Sequence, residues 1–326
     1  MAEATIRDVA RRAQVSVASV SRALNNLANV SEHTRARVAD AVRELGYVPH
    51  AGARSLSLAR TNAIGVVLPD LHGEFFSEIV RGMDKEASSR GYLLLLSNTH
   101  AGSAQAANAL KALRGRVDGM IVMAPHLSED DLASALPRTT PAIFVNTPAV
   151  EHAGIRVDNA AGAQAVAKHF IELGRKRVIH IAGPRGNLDA DERAKAFRKV
   201  LEGSGLQLEV VNGDFSEESG ENSIRTLIDS GASFDAVFAA NDMMASGALQ
   251  ALRDAGIAVP ADVAVAGFDD IPLARHIGLT TVRVRIAELG ERAVERLLSM
   301  VEGGADASGQ EYHSPELITR ATTLRK

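Results

Sequence analysis

Apolar residues recur along this chain with two different periods. Through the first sixty residues the spacing is helical: Ile6, Val9, Ala10 and Ala13, then Val20 and Leu24, then Val38, Val42 and Leu45. Each run has a start signal. Thr5 stands three residues before Asp8, an N-cap with an acidic partner; Ser16 precedes VASVSRALN; Ser31 precedes EHTRARVADAVREL, which Gly46 stops. Three short helices around one small core are predicted. From Ala63 onward the pattern changes. AIGVVLP, YLLLLSN, DGMIVMA and PAIFVN form one set of near-continuous apolar runs, and RVIHIAGP, LEVVNGD, AVFAAND and VAVAGFD form a second, with amphipathic segments of helical length between them. Such runs read as strands of parallel sheets covered on both faces, and two sets predict two doubly wound lobes. Ligands of such folds bind outside the carboxyl ends of the strands, where Asp70, Asn146, Asn241, Asp242, Asp269 and Asp270 stand.

Only QVS separates the first two predicted helices, the connection of a helix-turn-helix. The second helix of that motif enters the major groove by its N-terminal end, so its first side chains must be short. Val17 and Ala18 meet that demand and suit thymine methyl groups; Ser19, Ser21 and Arg22 suit phosphates or bases, and Arg22 the bidentate contact to guanine. Pro49 then breaks the third helix, yet Ala53, Leu56 and Ala59 recur at helical spacing. A helix this short needs support. Leu56 either packs on the body or is an apolar wedge for the minor groove.

Charge separates the same two parts. The whole chain carries −4, but residues 1 to 60 hold nine Arg, no Lys and five acids, leaving an acidic remainder. A basic module on an acidic body suggests that the module meets a polyanion. With no Cys in the chain, disulfides, thiolate metal sites and Cys nucleophiles are excluded. No basic segment followed by an apolar run opens the chain and no stretch of 18 apolar residues occurs, so a cytoplasmic location without membrane attachment is expected.

The run TIRDVARRAQVSVASVSRALN, the following VSEHTRARVADAVRELGYVPH and the ARSL linker resemble the headpiece and hinge of the lactose-repressor (LacI/GalR) family of bacterial transcription regulators. IRVDNAAGAQAVAKHFIELGRKRV, NDMMASGALQAL, VAVAGFDD and LTTVRVRIAELG extend the resemblance over essentially the whole chain. It implies an α/β fold: a helix-turn-helix headpiece (1–48), a hinge helix (49–60) and an effector-binding and dimerisation body (61–326) of two periplasmic-binding-protein-like lobes. Lobe 1 is expected over about 61–158 and 285–313, lobe 2 over about 159–284 and 314–326. It also implies a homodimeric repressor of a palindromic double-stranded operator, switched by a small effector, and neither an enzyme nor a holder of cofactor or metal. The DNA contacts it implies are Thr5, Ser16, Val17, Ala18, Ser19, Ser21, Arg22, Asn25, Ala53 and Leu56. The effector contacts are Asp70, Phe75, Phe76, Asn146, Arg193, Phe215, Asn241 and Asp269.

A sugar effector suits these residue types, since hydroxyl pairs need fixed donors and acceptors and the ring's C–H face needs an apolar wall. Phe75 and Phe76 offer the wall and Arg193 a fork for two hydroxyls; Asn241 and Asp269 read equally as helix N-caps. The family often carries Asp-Arg where this chain has Asn146-Thr147, Gly where it has Ala196 and a polar residue at Val284. These departures suit a larger or less polar ligand, an oligosaccharide or glycoside, or a loss of effector binding; a nucleobase or other metabolite is the alternative effector. An α/β sugar-active enzyme is the remote rival, since no G-x-x-x-x-G-K or strand-linked G-x-G-x-x-G occurs and the adjacent Asp269 and Asp270 point opposite ways.

Overall fold

The structure, a computed structural model, describes residues 4–25, 29–48, 60–100, 102–127, 130–131, 140–147, 152–304 and 309–324. The chain divides into two compact units, Met1–Asn62 and Ala63–Lys326.

In the first unit, α1 (Ile6–Ala13), α2 (Val17–Leu24) and α3 (Glu32–Leu45) bury Val9, Ala10, Ala13, Val20, Val38 and Ala41 against one another. Leu45, expected in this core, is 37% exposed; Ala41 is buried instead and Tyr47 packs against the cluster from beyond the helix end. The turn between α1 and α2 passes through Gln14 in the left-handed region (φ 50°). Arg37 of α3 secures it by donating from Nη2 to the carbonyl oxygens of Ala13 (2.5 Å) and Gln14 (3.4 Å).

The second unit runs β1 (Ala63–Leu68), α4 (Glu74–Ser89), β2 (Leu93–Asn98), α5 (Ser103–Leu113), β3 (Gly119–Val122), β4 (Ala142–Val145), β5 (Gly154–Val157) and α6 (Asn159–Glu172). It continues β6 (Arg177–Ala182), α7 (Leu188–Leu201), β7 (Gln207–Asn212), α8 (Glu217–Asp229), β8 (Ala236–Ala239), α9 (Asp242–Asp254), β9 (Ala264–Ala266) and α10 (Pro272–His276). It ends β10 (Thr281–Arg283), α11 (Ile286–Val301), β11 (Gln310–His313) and β12 (Glu316–Ile318). Lobe 1 is built on a parallel six-stranded sheet, β11-β5-β4-β3-β1-β2, and lobe 2 on a parallel four-stranded one, β7-β6-β8-β9. The chain passes between lobes after β5, after β10 and after β11, and antiparallel β10 and β12 pair where it crosses.

Strand β1 shows why its pattern is unbroken. Ile64, Val66 and Leu68 enter one apolar cluster while Ala63 and Val67 enter another on the opposite face, so every residue is buried. The first of these clusters continues from lobe 1 into lobe 2. YLLLLSN departs from the expectation of full burial. It forms the edge strand β2, with Leu93 72% exposed and Leu95 and Leu96 exposed as well. LEVVNGD likewise falls on edge strand β7. Hydropathy alone does not distinguish an edge from a centre.

Candidate DNA-reading face and ligand cleft

In the headpiece, the start of α2 is tied down by its own cap: Ser16 Oγ accepts from Ser19 N (3.1 Å) and shares a hydrogen bond with Ser19 Oγ (2.9 Å). Val20 is the one buried residue of α2. Val17, 43% exposed, Ala18 and Arg22 are left on the surface, with Ser21 partly exposed and Asn25 as C-cap. Thr5 caps α1 in a reciprocal pair: its hydroxyl donates to Asp8 Oδ2 (2.6 Å), and that carboxylate accepts from Thr5 N (3.0 Å). These bonds hold the Asp8 carboxyl below its usual range. Ala53, Leu56 and most of the predicted hinge lie outside the described residues.

The second unit contains a cleft of about 650 Å³ between its lobes. Its walls are the carboxyl ends of strands from both sheets. Asp70, His72, Phe75, Phe76, His100 and His126 line it from lobe 1; Asn187, Asp189, Arg193, Phe215, Asn241 and Asp269 line it from lobe 2. Seven of the eight predicted effector contacts therefore share one cavity.

Asn146 is the exception. At the end of β4 its backbone is left-handed (φ 45°), and its Oδ1 accepts from Val157 N (3.1 Å) on β5. It is 1% exposed and does not line the cleft, because its side chain folds back to join two strands. Thr147 is equally engaged, accepting from Ala124 N (2.9 Å) and donating to Val145 O (2.8 Å).

Arg193 is 4% exposed, and two of its three guanidinium nitrogens bond to the protein. Nε donates to Asn159 Oδ1 (2.8 Å), Nη1 donates to Ala240 O (2.6 Å), and the guanidinium carbon lies 3.8 Å from the centroid of the Phe268 ring. Nε and Nη1 are thus engaged by the protein. Asn159 extends the network, donating from Nδ2 to Asp189 Oδ1 (2.8 Å) and to Glu192 Oε2 (3.2 Å), while Glu192 pairs with Arg156. Asp269 faces the same guanidinium at 3.5 Å, and its buried Oδ1 accepts no hydrogen bond among the described residues. Burial pushes its pKa to about 7; Arg193 pulls it down and Asp189 pushes it up. Burial raises the Asp189 carboxyl too, against the pull of Arg193. Asp242, next to the cleft wall, is pushed well above the usual range by burial and by Asp269.

Asn241 carries the N-cap role the sequence allowed: its Oδ1 accepts from Met244 N (2.9 Å). Its Nδ2 donates to Phe215 O (2.9 Å), which fixes the aromatic wall of lobe 2. Phe215 has φ 73° and lies over Gly183, where a Cβ would stand 2.5 Å from its ring. On lobe 1, Asp70 Oδ1 accepts from Leu71 N (2.7 Å) and His72 N (3.1 Å), and Phe75 and Phe76 meet edge to face at 5.4 Å. Asp270 turns away into ion pairs with Arg283 and Arg320, both 2.6 Å, so it does not flank a bond together with Asp269.

This geometry has counterparts. Residues 5–50 match the family model described as bacterial regulatory proteins, lacI family, and residues 167–323 match a periplasmic binding protein-like domain. The HTH-type transcriptional regulator GalS of Salmonella typhimurium is 35% identical over 97% of this chain and 95% of its own. The chain belongs to the lacI family. Members of this family are transcriptional regulators rather than enzymes. The lac repressor dimer bound to operator and the anti-inducer ONPF superimposes with a TM-score of 0.91 at 30% identity, covering 99% of this chain and 100% of that one. A CelR–cellobiose complex gives 0.73 at 29%, covering 98% and 99%. Among the described residues of this lacI-family chain, no helix is long and apolar enough to cross a membrane.

Asp189, Asn159, Asn187 and three cleft histidines were missed in the sequence reading. Asp189 had a signal: it precedes Arg193 by four residues in LDADERAKAF, which puts acid and base on one face of a helix.

Proposed function

We propose that this chain is a homodimeric, cytoplasmic repressor that reads a palindromic operator with the N-terminal end of α2 and is switched by a carbohydrate in the cleft. The observation that carries the DNA half is the exposed Val17, Ala18 and Arg22 on a capped helix that buries little else. Ser16, Ser19 and Ser21 in its first turns, Asn25 at its far end and Thr5 at the start of α1 are assigned phosphate or base contacts. Ala53 and Leu56 in a hinge over 49–60 are assigned to the minor groove. Two copies would bring two such helices to half-sites one helical turn apart.

The carbohydrate half is supported by a cleft with aromatic walls from both lobes and a buried carboxylate whose Oδ1 has no hydrogen-bond partner among the described residues, beside a fixed guanidinium. Phe75, Phe76 and Phe215 suit a ring's C–H face, and Asp269 suits a hydroxyl donor. The roughly 650 Å³ available accommodates a disaccharide or glycoside. The cellobiose in the CelR complex and the ligand of the lac repressor complex are consistent with this class. Thermal-shift screening of mono- and disaccharides identifies the ligand, and its effect on operator retention tests the switch. A sugar that both stabilises the protein and alters DNA binding is expected; turnover of a sugar with no change in DNA binding would overturn the proposal.

A further inference from the structure

Helix α10 begins at Pro272, and Ile271 at its N-cap position gives it no side-chain cap. The cap comes from the other lobe. Leu273 N donates to Oε2 of Glu74 at 2.9 Å, and Glu74 is the first residue of α4 in lobe 1. A carboxylate accepting a backbone N–H at a helix N-terminus is a charge-assisted bond favoured by the helix dipole.

This bond closes a set of tethers on the segment that carries Asp269. Asp269 N donates to Val282 O (2.8 Å), and Ile271 N donates to Asp242 Oδ2 (2.9 Å), both within lobe 2. Between them the backbone is left-handed at Asp269 (φ 114°) and Asp270 (φ 55°). Residues with a Cβ stay there only when their surroundings hold them. Asp269 and Ile271 line the cleft from one side; Gly73, Phe75 and Phe76, the chain neighbours of Glu74, line it from the other. The two segments that would grip a ligand are thus the two that this hydrogen bond joins.

We propose that Glu74 is a positioning residue for the ligand site: by capping α10 across the cleft, it clasps the two lobes and holds the Asp269–Ile271 segment in its binding geometry before the ligand arrives. The inference rests on reading the cleft as the effector site. Such preorganisation spares the ligand part of the cost of ordering that segment and raises affinity accordingly.

Hydrogen–deuterium exchange of the full-length, ligand-free protein tests it, read on peptides spanning 269–277. Glu74→Ala should speed exchange there by roughly tenfold, the equivalent of one lost charge-assisted hydrogen bond. Peptides from β6, β8 and α11 should not change. Glu74→Gln keeps an acceptor oxygen without the charge and should accelerate exchange there less than Glu74→Ala. Unchanged exchange at 269–277 in Glu74→Ala overturns the clasp. Acceleration across both lobes, or equal acceleration in Glu74→Gln, overturns the positioning role. Failure of every sugar to bind would refute the effector reading instead, and this ligand-free measurement separates the two.

Discussion

Asp269 Oδ1 lies 3.5 Å from Arg193 Nη1 and accepts no hydrogen bond among the described residues, although both side chains are buried. A carboxyl in that position is held half-ready: burial raises its pKa to about 7, and the guanidinium keeps it from rising further. A ligand hydroxyl donated to Oδ1 would supply the missing partner and favour the ionised form.

The unliganded carboxyl leaves a trace in stability. In the unfolded chain it ionises near 3.8, and in the folded protein near 7. Between those values the folded state keeps a proton that the unfolded state has released, so the contribution of Asp269 to stability is fullest below about pH 4 and falls as pH rises towards about 7. Asp269→Asn removes that loss. The melting temperature of the variant minus that of wild type should grow by several degrees from pH 4 to pH 7 and then level off. A difference independent of pH would contradict the assignment.

Arg193→Leu removes the cation that faces Asp189 and Asp269 and abandons two hydrogen-bond acceptors, Asn159 Oδ1 and Ala240 O. Breaking a buried pair from one side costs about 3–5 kcal/mol. Urea unfolding at pH 8 should show that loss, with a smaller one at pH 5, where the two raised carboxyls are more readily protonated. Equal losses at both pH values would argue against a shared network.

Gly183→Ala places a methyl group 2.5 Å from the Phe215 ring. Overpacking of this kind costs about 1–3 kcal/mol and would move the ring off its wall. Sugar binding should weaken while operator binding without ligand persists, checked by calorimetry and fluorescence anisotropy. Wild-type sugar affinity would show that Phe215 is not part of the wall.

Much of this was legible in residue order. Ser16 before VASVSRALN gives the capped helix, and the apolar runs from AIGVVLP to VAVAGFD give two sheets with their carboxyl ends together. The sequence was silent where a side chain's partner is distant along the chain. Asn146 and Asn241 both follow strands, but one bonds β5 and the other caps a helix and holds Phe215. Leu93 reads like Ile64 until the sheet order puts it on an edge. Glu74 in HGEFF looks like an ordinary first-turn acid, because its partner Leu273 belongs to the other lobe.

Charge in the cleft predicts what is refused. Asp70, Asp189, Asp214, Glu217, Glu218 and Asp269 line it, against a single arginine among the described residues, Arg193. Calorimetry with whichever sugar stabilises the protein and with its phosphate ester should show the phosphorylated sugar binding at least about tenfold more weakly, since unscreened repulsion of a dianion in a partly enclosed cleft exceeds a kcal/mol. Tighter binding of the phosphate would overturn this selectivity.

The central claim is that α2 reads bases in a symmetric operator. Selection of bound duplexes from a randomised pool by the full-length protein, sequenced for wild type and for Arg22→Ala, tests it most directly. Wild type should enrich an inverted repeat, and Arg22→Ala should lose the preference for guanine at one symmetry-related pair of positions, with a cost of about 1–3 kcal/mol for each contact. Enrichment without twofold symmetry, or an unchanged preference in Arg22→Ala, would contradict it.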